Sequence, residues 1–500
     1  MSDTTRKSSR RDLLKTVGGV LGGVSLLGHG TAQGQAIGSI PSGYDFYRVL
    51  RANEGGRFAG IQNTLGDISG SVMMASPPSS SGLGYVYVHG TQSLPYGTDS
   101  GVFEVAINFS ETPPVVQRVL PIAIERGLIY VDGRARVVGH IGTGASNAQG
   151  QFVTTIEPYE PSAQIETENS PGVYLYQPHG NGGGAWSRII GFGDEVPDGS
   201  SLYGGDFGDV ALDNDGNLLL AAATTHDPSD SVSGFGSSQA LISTSIGSTN
   251  RGRVLLQTGD LLPFGAAVVE AVGLVDLAPR NAFAAQVTAR RLGPSVLRSG
   301  TALIVGNTQG GPGQQGLVAA SPELMPPGLA SQRNIISGET FFGARVDPLL
   351  DVGFVTHDGT FEPSIGSNAI EALGYYSRGL ARNIQNTQLS ASENQVAAFG
   401  APCIGSTGLM YGTEMLGSGK SRLYISNGAN SRVVLNSGEN RISGRNPSTP
   451  LVVSEILFGH HSTQVDASGR LVFTAEFLID PDGPDDKSNV ITALVIGIPR

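Results

Sequence analysis

Arg188-Ile189-Ile190-Gly191-Phe192-Gly193-Asp194-Glu195-Val196-Pro197-Asp198-Gly199 recurs as Arg253-Val254-Leu255-Leu256-Gln257-Thr258-Gly259-Asp260-Leu261-Leu262-Pro263-Phe264-Gly265. Both copies read as an arginine, an apolar pair, Gly-Asp, Pro and Gly, and they lie about 65 residues apart. Ile335-Ile336…Gly338-Glu339 and Arg432-Val433-Val434…Gly438-Glu439 are weaker copies. Tyr47-Arg48-Val49-Leu50 and Gln117-Arg118-Val119-Leu120 keep the first half. The interval between residues 336 and 432 leaves room for one more unit near Arg382.

A second phrase follows the first in each unit: a polar turn, a glycine, then an apolar run. Its best copies are Leu212-Asp213-Asn214-Asp215-Gly216-Asn217-Leu218-Leu219-Leu220-Ala221 and Val465-Asp466-Ala467-Ser468-Gly469-Arg470-Leu471-Val472-Phe473. Asn147-Ala148-Gln149-Gly150-Gln151-Phe152 and Ser392-Glu393-Asn394-Gln395-Val396 are looser. Short runs such as Ala240-Leu241-Ile242 and Ala493-Leu494-Val495 complete the unit. Short β-rich runs punctuated by Gly, Asp, Asn and Pro are strands joined by tight turns. The 72 glycines suit turns that need positive φ. No apolar period of 3.6 residues is sustained beyond the N-terminal segment, so the chain is expected to be all-β.

Three or four strands per unit fit a β-propeller of roughly six to eight blades. The ends agree: the chain enters at an Arg phrase, residues 47–50, and finishes on the run that should precede one, residues 493–496. Joining them completes a unit from both ends and removes an open sheet edge. A β-solenoid and tandem β-sandwiches are the alternative folds. In the repeat reading Arg188, Asp194, Gly199, Arg253, Asp260 and Gly265 are structural, because groups repeated in every unit hold units together.

The first residues carry a different message. Ser9-Arg10-Arg11-Asp12-Leu13-Leu14-Lys15 precedes a glycine-diluted apolar run, residues 17–27, which is short against the roughly 20 residues that span a bilayer. Arg10 and Arg11 in this setting read as a twin-arginine (Tat) export signal, removed after Ala36 in preference to Ala32. Residues 1–36 are then the signal peptide and residues 37–500 one repeat-built domain. The Tat translocase is the expected partner during export, with delivery to the medium, the cell surface or the periplasm. No cysteine near the cleavage point supports a lipid anchor.

The full chain has a formal charge of −12, and the signal segment contributes five basic and two acidic side chains. The mature chain is therefore more acidic still. That balance opposes binding to nucleic acid and to anionic membrane surfaces. Cys403 is the one cysteine, so no internal disulfide forms, and its apolar neighbours make it a buried thiol.

The combination of the two phrases resembles a family of secreted tandem-repeat proteins of bacteria and archaea with no assigned activity. That resemblance implies a propeller-like ring and an exported location. It transfers no catalytic residue.

The usual catalytic signatures are missing: there is no H-E-x-x-H, C-x-x-C or G-x-S-x-G. Gly419-Lys420-Ser421 lacks the upstream glycine of a phosphate loop, since Glu414 stands there. Residues 180–184 read as a glycine loop beside Trp186. His460-His461 is the only histidine pair, in a turn or surface setting. Calcium is the one cofactor the residues raise. Asp480, Asp482 and Asp485 present oxygens at D-x-D-G-x-D spacing, although two prolines and the lack of a distal Glu equally describe a solvated acidic turn. Asp213 and Asp215 have carboxylates too, in a place where a turn already needs them. The expected function is a non-catalytic binding or scaffold protein outside the cytoplasm. A carbohydrate-active lyase or hydrolase and an adhesive envelope module are the alternatives.

Overall fold

The computed structural model describes residues 39–52, 65–74, 82–94, 97–158, 171–179, 183–197, 199–226, 238–248, 252–263, 267–292, 299–310, 315–324, 340–347, 349–358, 370–377, 380–388, 395–405, 408–442, 444, 450–457, 465–466, 468–480 and 489–500. Almost all of them are strands, and the fold is an all-β propeller. Six open sheets and one sheet curled onto itself follow one another along the chain. We number them blades 1 to 7: residues 65–124, 128–191, 202–257, 267–320, 340–388, 396–436, and 441–499 completed by 44–51.

Blade 3 shows the plan. Leu202–Leu212, Asn217–Thr225, Ser238–Ser245 and Arg253–Gln257 pair in that order, each antiparallel to the next. The Asp213–Gly216 phrase is the turn from first to second strand. The Arg phrase is the fourth strand, and Gly-Asp is the turn that leaves it for the next blade. The Arg phrase carries a β-bulge: register slips between Arg48 and Leu50 and between Arg188 and Ile190, adding twist to the outer strand.

The expected copy at Ile335–Glu339 lies outside the described residues. The outer strand of blade 4 is instead Gly316–Ala320, which has no arginine. The hidden unit near Arg382 exists, as the outer strand Leu380–Gln388 of blade 5.

The inner strands of a blade are near-continuous apolar runs, such as residues 218–223, so both faces are apolar and must be covered. The buried clusters obey this rule. Val153, Val173 and Ile190 of blade 2 pack with Tyr203, Leu218 and Ile242 of blade 3. Leu303, Val305 and Val318 of blade 4 pack with Val352, Phe354 and Ala372 of blade 5. Cys403 is buried with Tyr411 of blade 6 against Val453 and Phe473 of blade 7. The ring closes in the same way: Leu50, Val472, Leu494 and Ile496 of blade 7 share one cluster with Ile68, Val86 and Phe103 of blade 1. Tyr44–Arg51 lies antiparallel on Val490–Pro499, from Tyr44↔Pro499 to Arg51↔Ala493. A solenoid or tandem sandwiches would leave these two strands apart.

Two outcomes are expected from this closure. Leu50 is 1% exposed in the joint, so Leu50→Ala should cost about 2–5 kcal/mol in chemical denaturation. A loss under about 1 kcal/mol would mean that the closing strand is not docked.

Acid tests the joint between blades 1 and 2. Burial, helped by nearby His140, holds His89 down at about 4 against an ordinary 6.5. Between those values the unfolded chain takes up a proton that the folded chain refuses. Stability must therefore fall as pH drops from 6.5 to 4, by at most about 3 kcal/mol from this group. His89→Gln should flatten that part of the profile when melts at pH 7 and pH 4 are compared. An unchanged profile would assign the acid sensitivity to other groups.

Candidate functional site

The repeated residues are occupied in joining blades. Gly193 and Gly259 sit at φ +80° and +95°, which only glycine adopts at little cost. The Gly193 amide donates to the Tyr203 carbonyl at 3.0 Å, and the Tyr203 amide donates back to Asp194 at 2.9 Å. Gly259, Val269 and Asp260 repeat this exchange, with both bonds at 2.9 Å. Each aspartate also caps its own turn: Asp194 Oδ2 accepts the Gly191 amide at 2.6 Å and Asp260 Oδ2 the Gln257 amide at 2.9 Å. Arg188 reaches Asp194 at 3.6 Å, and Arg253 donates to the Gln309 carbonyl of the next blade at 3.0 Å. Gly199 is a turn glycine at φ +66°. Gly265 lies outside the described residues, as do Arg10, Arg11, His460 and His461.

The calcium candidates divide in the same manner. Asp213 spends its oxygens locally: Oδ1 accepts the amides of Asp215 and Asn217, and Oδ2 accepts the Asn217 side-chain amide at 2.8 Å. Three of its acceptor sites are thus taken by the turn itself. Asp480 is tied through its backbone to Asn489 by bonds of 2.7 and 2.6 Å. Asp482 and Asp485 lie outside the described residues.

Successive first strands bring a second set together. Thr143 and Asp209 each stand four residues before the turn residues Asn147 and Asp213. Thr143 donates to Asp209 Oδ1 at 3.1 Å, and the Val275 amide of blade 4 donates to Oδ2 at 2.9 Å. Asp276 in turn accepts the Val346 amide of blade 5 at 2.9 Å. Burial pushes both carboxyls up. The Val275 amide chiefly opposes this at Asp209, and the nearby Arg345 charge chiefly opposes it at Asp276. These are carboxylates standing in for a backbone ladder between first strands. The fully buried Glu104 is committed as well, to Arg118 at 2.6 Å and the Tyr176 hydroxyl at 3.0 Å.

Blade 2 departs from the plan. An extra strand, Leu128–Val131, enters ahead of its first long strand, Arg134–Ser146. It turns back through Asp132 and Gly133, at φ +50° and +81°, a tight hairpin. A parallel bridge from Val131 to Trp186 joins it to the outer strand Gly184–Gly191, so the sheet curls shut. Beside that bridge lies a cleft of about 460 Å³ lined by Tyr130, Asp132, Gln177, His179, Trp186 and Ser187 among others. Trp186 forms its floor, 5% exposed, with Nε1 donating to the Ile122 carbonyl at 2.9 Å and its ring against Tyr176. Tyr130 stands at the rim, 65% exposed. The sequence offered residues 180–184 as a glycine loop beside Trp186, and did not single out Tyr130 or Asp132. Their place depends on a bridge between residues far apart in the chain.

No protein-family model and no curated protein matches the chain. Solved structures do align along most of its length. The β-propeller domain of the trilobed protease from Pyrococcus furiosus aligns at 11% identity and TM-score 0.40, over 83% of this chain and 100% of that one. The polysaccharide lyase Uly1 aligns at 10% and 0.42, over 91% and 97%. An acylaminoacyl peptidase from Pyrococcus horikoshii aligns at 9% and 0.38, over 81% and 49%. A lyase and two proteolytic proteins at such distance assign no activity to this chain.

Proposed function

We propose that this chain is an exported, non-catalytic binding propeller that takes a small polar ligand of the sugar class in the blade 2 cleft. The observation that carries the reading is the cleft itself. It sits where blade 2 departs from the four-strand plan: Trp186 anchors it to blade 1, while the Tyr130 ring faces solvent. An exposed tyrosine ring beside a carboxylate, a carboxamide, an imidazole and a hydroxyl offers a flat apolar face with directional polar partners. A sugar ring presents the complement: an apolar face of C–H groups edged by hydroxyls. The repeat positions support the absence of chemistry, because their carboxylates already accept backbone amides.

The twin-arginine segment supplies the route. Replacing Arg10 and Arg11 together by lysine is expected to hold the protein in the cytoplasm, with near-complete loss from the exported fraction on immunoblots of fractionated cells. Undiminished export would overturn this part of the reading.

The cleft is tested with the mature chain on an array of neutral oligosaccharides, followed by titration calorimetry. Tyr130→Ala should weaken binding at least tenfold, about 1.4 kcal/mol. Its melting temperature should stay put because the side chain is exposed. Equal affinity in the variant would move the site elsewhere. Release of shortened or unsaturated sugars during the titration would replace this reading by the lyase or hydrolase alternative.

A further inference from the structure

Four of the turns from first to second strand carry an Asx cap, and in one of them the capping side chain faces no side-chain donor. In blades 2, 3, 5 and 7 an Asx residue caps the turn by accepting backbone amides, and in blades 2, 3 and 7 a further hydrogen bond joins its side chain to the side chain four places on. Asn147 is paired with Gln151 at 2.8 Å, Asp213 with Asn217 at 2.8 Å, and Asp466 with Arg470 at 2.5 Å. In blade 5 the pair is Asp347 and Asp351, an acceptor facing an acceptor. Asp347 Oδ1 still caps the turn, accepting the amides of Leu349 at 2.8 Å and Asp351 at 3.0 Å. Asp347 Oδ2 is buried and accepts no hydrogen bond. Asp347 is 1% exposed and Asp351 5% exposed, and among the described residues no Lys, Arg or His forms an ion pair with either.

The space beside the orphan oxygen is bounded by other oxygens. Tyr375 of the third strand donates its hydroxyl to Asp351 Oδ2 at 3.1 Å and to the Gly408 carbonyl at 3.3 Å. Gly408 belongs to the corresponding turn of blade 6 and has φ +75°. A Cβ built there would lie 3.5 Å from Asp347 Oδ2, 3.7 Å from the Tyr375 hydroxyl and 3.9 Å from Asp351 Oδ2. With no side chain at 408, three oxygens face one gap between two blades.

We propose that Asp347 and Asp351 bind a calcium-class divalent cation at the joint of blades 5 and 6. Two buried carboxylates with no cationic partner need a positive charge or a proton. An all-oxygen donor set selects hard cations. Calcium's long bonds and adaptable geometry suit a buried turn better than magnesium, which holds on to several waters. The ion replaces the donor that Asn217 and Arg470 supply to the turn aspartates of blades 3 and 7. Because this site lies apart from the blade 2 cleft, it stands or falls independently of the sugar-binding reading.

The test uses the mature chain freed of metal with a chelator, then titrated with calcium chloride by calorimetry and followed by thermal melts. One equivalent should bind at this joint, and the melting temperature should climb with calcium concentration. Asp351→Asn rebuilds the Asp–Asn pair of blade 3. It should fold, lose that equivalent and melt at a calcium-independent temperature. A variant with Asp482→Asn and Asp485→Asn should keep the wild-type response. Calcium binding that survives in Asp351→Asn, or that disappears with the Asp482 and Asp485 changes, would overturn the proposal. So would an absence of binding, which would mean that the pair shares a proton.

Discussion

Each blade can hide its apolar faces only against its two neighbours, so no blade is complete until the ring is. That constraint explains why the buried residues gather between blades. It also explains why the last sheet is built from both ends of the chain. Tyr44–Arg51 gives Val490–Pro499 a hydrogen-bonded partner, and Leu50 joins Leu494 and Ile496 in covering the face of blade 1. Without that strand one sheet keeps an open edge and two blades share an incomplete core. The stability of a repeat array is a sum of units and joints. In a ring, the closing joint is the one term that local sequence cannot secure.

A joint between blades has little continuous backbone pairing, and side-chain oxygens take over part of that work. Asp194 and Asp260 satisfy amides at the outer turns, while Asp209 and Asp276 satisfy amides of the next first strand. A carboxylate accepting backbone N–H groups recovers part of the cost of its burial, because charge-assisted bonds exceed neutral ones. Removing such a carboxylate strands the amide it served. This is how a chain with one cysteine, and therefore no internal disulfide, holds its sheets in register.

What could be read in the sequence was what the chain settles locally. Gly-Asp after an apolar strand and Asp-x-x-Gly before another are turn chemistry, so the order of strands within a blade was visible. The outer strand of blade 4, Gly316–Ala320, escaped because it lacks the arginine that marked the others. The inter-blade carboxylates escaped because the same layer holds Thr143 in one blade and aspartate in the next two. The cleft depends on the Val131–Trp186 bridge, a tertiary pairing with no local trace. One signal was available: the fourth residue after the turn Asx runs Gln151, Asn217, Asp351, Arg470, and Asp351 is the one acceptor that cannot serve as a donor.

Departures from a repeat carry information because the repeat itself states what the fold requires. An aspartate found in several blades is explained once the turn it caps is explained. Leu128–Val131 is not explained in that way: blade 7 has a two-residue counterpart, Arg441–Ile442 on Leu451–Leu457, but the blade 2 strand is longer and its Tyr130 ring faces solvent. Asp351 is harder to explain on structural grounds alone: asparagine at the matching place in blade 3 satisfies the same turn, whereas aspartate leaves a buried oxygen without a donor. An exposed hairpin at one joint and an extra buried charge at another are two features that packing between blades does not by itself require. They lie in the curled sheet of blade 2 and the acidic turn of blade 5.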